Sequence, residues 1–173
     1  MENLDLDKAI RRIKDFPKSG VLFYDITSLL MEPKAFSFCL DKMEAIYKNA
    51  KLDGIAGIDA RGFIFAAPLA DRLKSPLLIV RKKGKLPADT YSCEYELEYG
   101  TATIEVHKDD IKKGGRYLVV DDLVATGGTF KASKNIFEQA GATVVEFFSV
   151  IGLSEFEYEK ILAPTPVRTL INY

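Results

Sequence analysis

A chain of 173 residues, 47% hydrophobic and 28% charged, is long enough to bury a full core as one domain and has an ordinary globular composition. Its formal net charge of −1 gives no electrostatic reason to expect nucleic acid or an anionic membrane as a partner, so any anion site must come from local placement of charge. Cys39 and Cys93 make no disulfide framework, the start Met1-Glu2-Asn3-Leu4-Asp5 lacks a secretory apolar segment, and no apolar run reaches membrane-spanning length; the expectation is a cytoplasmic soluble protein.

In chain order, Leu6, Ala9, Ile10, Ile13 and Phe16 follow helical spacing, with Asp5 as N-cap and Pro17 as the stop. A turn at Pro17-Lys18-Ser19-Gly20 leads into an extended segment ending near Ile26. Pro33 opens a helix with Phe36, Leu40, Met43, Ile46 and Tyr47 on one face. Gly54 to Ile58 reads as a short buried strand, followed by the polar turn Asp59-Ala60-Arg61-Gly62 and a helix over Phe63 to Leu73. Pro76 to Val80 is a further strand. It ends in the cationic run Arg81-Lys82-Lys83-Gly84-Lys85, where open α/β sheets keep their ligand sites.

Leu86 to Tyr99 has no clean period and reads as a long loop of the functional kind. Thr101 to His107 alternates as a half-exposed edge strand that pairs with the end of that loop. Its Ala102, Ile104 and Val106 share one face, and Thr103, Glu105 and His107 the other. His107 is assigned no role. Tyr117 to Val120 is a buried strand closed by Asp121 and Asp122. The turn Leu123-Val124-Ala125-Thr126-Gly127-Gly128-Thr129 and a helix over Phe130 to Ala140 come next. Thr143 to Val150 forms another strand, Leu153 to Leu162 a short helix, and Val167 to Ile171 a last strand. Alternating strands and helices predict an α/β fold: a mainly parallel twisted sheet with helices on both faces, its polar turns gathered at one edge.

The richest stretch is the strand, acidic pair, glycine turn and helix from Tyr117 to Ala140. Main-chain N–H groups and hydroxyls at a helix N-terminus suit a phosphate. The sequence lacks both Gly-Lys-Ser/Thr and Gly-x-Gly-x-x-Gly, which excludes a Walker loop and a dinucleotide fingerprint. The acidic pair beside that anion must serve hydroxyls or a cation. A sugar phosphate, with or without Mg²⁺, satisfies both halves.

Val120 to Thr129 resembles the phosphoribosyl diphosphate signature of type I phosphoribosyltransferases, in the version used by members that act on adenine. Four further segments stand in that family's order: Phe16-Pro17-Lys18-Ser19-Gly20-Val21-Leu22-Phe23, Asp59-Ala60-Arg61-Gly62-Phe63, Arg81-Lys82-Lys83-Gly84-Lys85-Leu86-Pro87 and Tyr95-Glu96-Leu97-Glu98-Tyr99-Gly100. The resemblance implies a single domain over residues 1–173, with a base-binding hood in residues 1–30 and a flexible hairpin arm.

It further implies that Ala125, Thr126, Gly127, Gly128 and Thr129 hold the 5-phosphate, and that Asp121 and Asp122 take the ribose hydroxyls or Mg²⁺-bound waters. Asp59, Ala60 and Arg61 form the diphosphate loop with a cis peptide at Asp59-Ala60, and Arg81, Lys82 and Lys85 neutralise the leaving diphosphate. Glu98 is the implied acid/base group, with Tyr99 closing the arm beside it. Phe23 stacks on the purine while the main chain of Leu22 and Tyr24 reads its amino edge. Tyr24 departs from the basic residue of many relatives, and Ala125 stands where users of 6-oxopurines carry Asp. No residue ligates metal directly; Mg²⁺ is held through substrate and waters. The implied reaction takes adenine and phosphoribosyl diphosphate to AMP and diphosphate, in purine salvage, by a homodimer. The alternatives are a transferase for xanthine or guanine, and a non-catalytic binder of phosphoribosyl diphosphate.

Overall fold

The computed structural model describes residues 4–96 and 100–173, so Glu98 and Tyr99 lie outside the described residues. The chain divides into two compact units, Met1–Ile46 and Tyr47–Tyr173.

In the first unit a 3₁₀ turn at Leu6–Ala9 precedes β1 (Arg11–Lys14), which pairs antiparallel with β2 (Leu22–Asp25) in the register Arg11↔Asp25 to Lys14↔Leu22. This corrects the helix expected over Leu6 to Phe16. Asp5 does cap as expected, its carboxylate accepting from the Asp7 N–H at 3.2 Å. The apolar spacing nevertheless serves only one turn, because Ile13 and Phe16 are 36% and 50% exposed and gain nothing from a helical face. Cross-strand pairing wins instead. Asp25 anchors the far end of β2: its Oδ1 accepts from the Thr27 N–H at 3.0 Å and from the Thr27 hydroxyl at 2.7 Å, and Arg11 lies 3.2 Å from Oδ2. Thr27 opens α1 (Thr27–Leu30), and α2 (Pro33–Tyr47) follows from the predicted proline.

The second unit is a sheet of order β5-β6-β4-β3-β7-β8-β9. Its strands are β3 (Gly54–Ile58), β4 (Leu77–Lys82), β5 (Thr90–Glu96), β6 (Thr101–His107), β7 (Arg116–Val124), β8 (Thr143–Gly152) and β9 (Val167–Asn172). From β4 to β9 all neighbouring pairs are parallel, and the β5–β6 hairpin joins antiparallel at one side. Helix α3 (Gly62–Leu73) links β3 to β4, α4 (Gly128–Gln139) links β7 to β8, and α5 (Tyr158–Leu162) precedes β9.

Strand periodicity assigns the helices to opposite faces. Tyr117 and Val119 of β7 and Ala56 and Ile58 of β3 share a buried cluster with Phe130, Ile136 and Phe137 of α4. Gly57, pointing the other way, lies against Ala66 and Phe63 of α3. The expected parallel sheet covered on both faces is therefore what the chain forms. Burying each large apolar side chain in these layers contributes roughly 1.5–3 kcal/mol.

Two expectations in this unit are corrected. Within the expected Leu86–Tyr99 loop, Thr90–Glu96 is strand: β5 pairs with β6 over seven residues, and Tyr91, Cys93 and Tyr95 pack on the main core. β6 is not an edge strand, because it lies between β5 and β4; Glu105, expected on the exposed face, is 5% exposed. Tyr158 and Leu162 are buried, and Leu162 lies under the turn that precedes α4.

Candidate active site

The strand order reverses direction at β3, with β4 on one side and β7, reached later in the chain, on the other. Ligands of open α/β sheets bind at such a switch point, beyond the carboxyl ends of the strands. The segments following β3, β4 and β7 carry Asp59, Ala60 and Arg61, then Lys83 to Leu86, then Ala125 to Gly127.

The acidic pair sits inside β7 rather than at its end. β7 runs on to Val124 because β8 pairs with it through Asp121↔Ser149, Leu123↔Ile151 and Val124↔Gly152. The β3 side stops at Val120↔Gly57, so β7 is paired on one side only beyond that point. The turn after β3 occupies the side that β3 vacates. Gly62 makes this possible, since a Cβ there would stand 2.6 Å from the Val120 carbonyl oxygen and 3.1 Å from the Asp121 Cα. Asp59-Ala60 is a cis peptide, as the resemblance implied.

Ion pairs tie these segments together. Arg61 Nε lies 2.8 Å from Asp122 Oδ2, and Arg81 Nε donates to Asp59 Oδ2 at 3.1 Å. Both arginines use Nε for the carboxylate, so the two terminal nitrogens of each guanidinium carry its remaining donors. Asp122 is 4% exposed, and its Oδ2 receives no directed hydrogen bond despite the nearby guanidinium. Asp121 Oδ1 accepts from the Asp122 N–H at 2.9 Å. Burial pushes the Asp121 carboxyl well above its ordinary value, and the Asp122 charge adds to the effect. Burial also raises Asp122, with Arg61 working against it. Two adjacent carboxylates, Asp122 buried and Asp121 half-buried, fit hydroxyl donors or the waters of a hydrated cation. Among the described residues no cluster of three His, Cys, Asp or Glu side chains offers a direct metal cage.

Beyond Val124 the chain lines a concavity of about 160 Å³ with Asp121, Val124, Ala125, Thr126, Gly128 and Thr129 among its walls. Gly127 takes φ +80 to turn the chain into α4, and a Cβ there would press on Leu162 at 3.1 Å. The first N–H groups of α4 are left without helical partners at this mouth, which favours an anion. The Thr129 hydroxyl donates to Tyr95 Oη at 3.3 Å, so β5 reaches the same mouth. Tyr95 was missed in the sequence, although Tyr91, Cys93 and Tyr95 repeat at every second position, a strand signal within the apparent loop.

Lys82 and Lys85 are exposed in and after β4. Leu22, Phe23 and Tyr24 lie on β2 of the first unit, where Phe23 meets Phe16 edge-on at 5.1 Å and Arg12 lies over the Tyr24 ring at 5.8 Å.

Fold and site together define a phosphoribosyl-handling α/β protein, and the phosphoribosyl transferase domain family matches residues 26–163. The chain belongs to that family, on the branch of its adenine phosphoribosyltransferases. It is 56% identical to adenine phosphoribosyltransferase of Treponema denticola over 173 residues, covering 100% of this chain and 91% of that one. The crystal structure of adenine phosphoribosyltransferase from Thermoanaerobacter pseudethanolicus superposes with a TM-score of 0.92 at 44% identity, covering 97% of this chain and 98% of that one. The Saccharomyces cerevisiae enzyme, solved with D-DIAB and adenine, gives 0.89 at 34% identity over 96% of both chains.

Proposed function

We propose that this protein transfers the 5-phosphoribosyl group from phosphoribosyl diphosphate to adenine, giving AMP and diphosphate, as a step of purine salvage. The observation that carries the reading is the junction of β7 and α4. There a helix N-terminus suited to an anion adjoins two carboxylates, Asp122 buried and ion-paired to Arg61 and Asp121 half-buried in the wall of the concavity.

Ala125 to Thr129 take the 5-phosphate through main-chain N–H groups and the Thr126 and Thr129 hydroxyls. Asp121 and Asp122 accept from the ribose hydroxyls, and their protonation-prone burial is relieved by those donors. Asp59, Ala60 and Arg61, with Arg81, Lys82 and Lys85, take the diphosphate. As the C1–oxygen bond to diphosphate breaks, a purine nitrogen forms the new bond to C1 with inversion, and the positive groups offset charge growing on the leaving oxygen. Mg²⁺ on the substrate would supply further charge neutralisation, and Asp121 and Asp122 would hold its waters. Glu98 handles the proton at N7 of the base, and Tyr99 helps exclude water that would trap the cationic sugar.

Phe23 stacks on the purine. The Tyr24 ring is engaged by Arg12, which supports reading the base through the main chain of Leu22 and Tyr24 rather than the Tyr24 side chain. Residues 1–173 act as one catalytic domain in which residues 1–30 supply the base hood. We place the enzyme in the cytoplasm as a homodimer, on the family resemblance. No described helix is long and apolar enough to cross a membrane.

Initial rates with Mg²⁺, phosphoribosyl diphosphate and competing bases test the reading. Adenine is expected to be converted far faster than hypoxanthine, guanine or xanthine; preference for any 6-oxopurine would overturn the substrate assignment. Binding of phosphoribosyl diphosphate without turnover of any base would favour a regulator.

A further inference from the structure

We propose that Glu105, outside the five family-like segments, is a positioning residue that shapes the cationic loop after β4 for diphosphate. This rests on the assignment of Arg81, Lys82 and Lys85 to the diphosphate. Glu105 lies on β6 directly across from Arg81 and is 5% exposed. One carboxylate oxygen, Oε1, accepts from two successive main-chain N–H groups, those of Lys85 and Leu86, each at 3.0 Å. The adjoining main chain is held by the Lys83 N–H, which donates to the Thr103 carbonyl at 2.9 Å, so β6 grips the loop at two places.

The reason for a carboxylate is electrostatic as well as geometric. Arg81, Lys82, Lys83 and Lys85 crowd four cations into five positions. Like charges at that spacing repel, and an untied loop would spread them. A buried anion facing the loop's own N–H groups offsets the repulsion, and charge-assisted hydrogen bonds are about twice as strong as neutral ones. Its partners are main-chain groups, so the lysine ammoniums are left for the ligand. An isolated buried carboxylate is costly, and these two donors are the compensation that keeps it in place. The loop is thereby formed before diphosphate arrives, which lowers the ordering cost of binding.

A merely structural role would not separate the two ends of the sugar substrate, whereas a positioning role does. Titration calorimetry of the full chain with Mg²⁺-diphosphate and, separately, ribose 5-phosphate makes the distinction. Glu105→Ala is expected to weaken diphosphate about tenfold while changing ribose 5-phosphate less than twofold. Glu105→Gln, whose amide oxygen can accept the same two N–H groups without the charge, should fall between the parent and Glu105→Ala for diphosphate and change ribose 5-phosphate less than twofold. Glu105→Thr suits the strand and cannot reach the loop, so it serves if the alanine variant does not fold.

Lys85→Ala separates the two layers of the argument. If Lys85→Ala weakens diphosphate and neither short Glu105 variant does, the positioning role is wrong and the diphosphate site stands. If Lys85→Ala also leaves diphosphate unchanged, the diphosphate assignment of this loop is wrong. Equal weakening of both ligands by the Glu105 variants would reduce Glu105 to general support of the fold and overturn the proposal.

Discussion

The β7–α4 junction and the β5–β6 hairpin meet at one mouth through Thr129 and Tyr95, yet they are built in opposite ways. The junction is one contiguous piece of chain: a buried parallel strand, a turn and a helix, with both carboxylates inside the strand and Asp122 buried. The hairpin is antiparallel, held by cross-strand pairing of two adjacent segments and by the alternate residues Tyr91, Cys93 and Tyr95 laid on the core. A junction of the first kind is preorganised and suited to ground-state recognition. No residue of β5 is fully buried, and elements that move in function are drawn from regions with few buried contacts. The proposed roles follow this contrast, with binding at the junction and the proton chemistry given to Glu98.

Kinetics can break that division. Glu98→Gln, on the arm, is expected to lower kcat by about 10²–10⁴ with little change in KM for phosphoribosyl diphosphate, measured by steady-state and single-turnover assays. An unaffected kcat would remove Glu98 from the mechanism. The pair Asp121→Asn with Asp122→Asn, on the junction, should chiefly raise KM for phosphoribosyl diphosphate, by roughly 10- to 100-fold, the scale of losing charge-assisted hydrogen bonds. An unaltered KM would contradict their role at the ribose.

A smaller effect sharpens the same point from the side of stability. With its carboxyl raised by burial, folded Asp121 keeps a proton that the unfolded chain releases above about pH 3.9. The native state then binds more protons, so this residue's contribution to stability falls as pH rises from that value through the folded one. Asp121→Asn should therefore raise the Tm of the ligand-free protein at pH 7 by about 2–4 °C, the shift that ~1 kcal/mol gives in a chain of this size. The gain should fade below about pH 4, where both states are protonated. A variant less stable than the parent at pH 7 would show that the pair is already compensated without substrate.

Legibility in the sequence follows the same contrast. The junction could be read because its strand, carboxylates, glycines and helix are neighbours in the chain. Even there the strand runs past the end its local pattern predicts, since β8 prolongs β7 through Val124 and a partner strand cannot be seen locally. The apolar spacing of Leu6 to Phe16 suits a helix, while the four-residue pairing with β2 decides the outcome. Glu105 alternates with the apolar face of β6, and nothing local shows that the loop after β4 folds over its carboxylate. The ion pairs Arg61–Asp122 and Arg81–Asp59 join residues far apart in the chain, and no spacing rule reaches them.

The division of labour within the second unit is tested most directly by an assigned amide NMR titration of the 19.3 kDa chain with ribose 5-phosphate. The expected result is saturable shifts at the main-chain N–H groups of Ala125 to Thr129, with those of Lys83 to Leu86 left in place. Shifts confined to Lys83 to Leu86, or none at Ala125 to Thr129, would contradict the account.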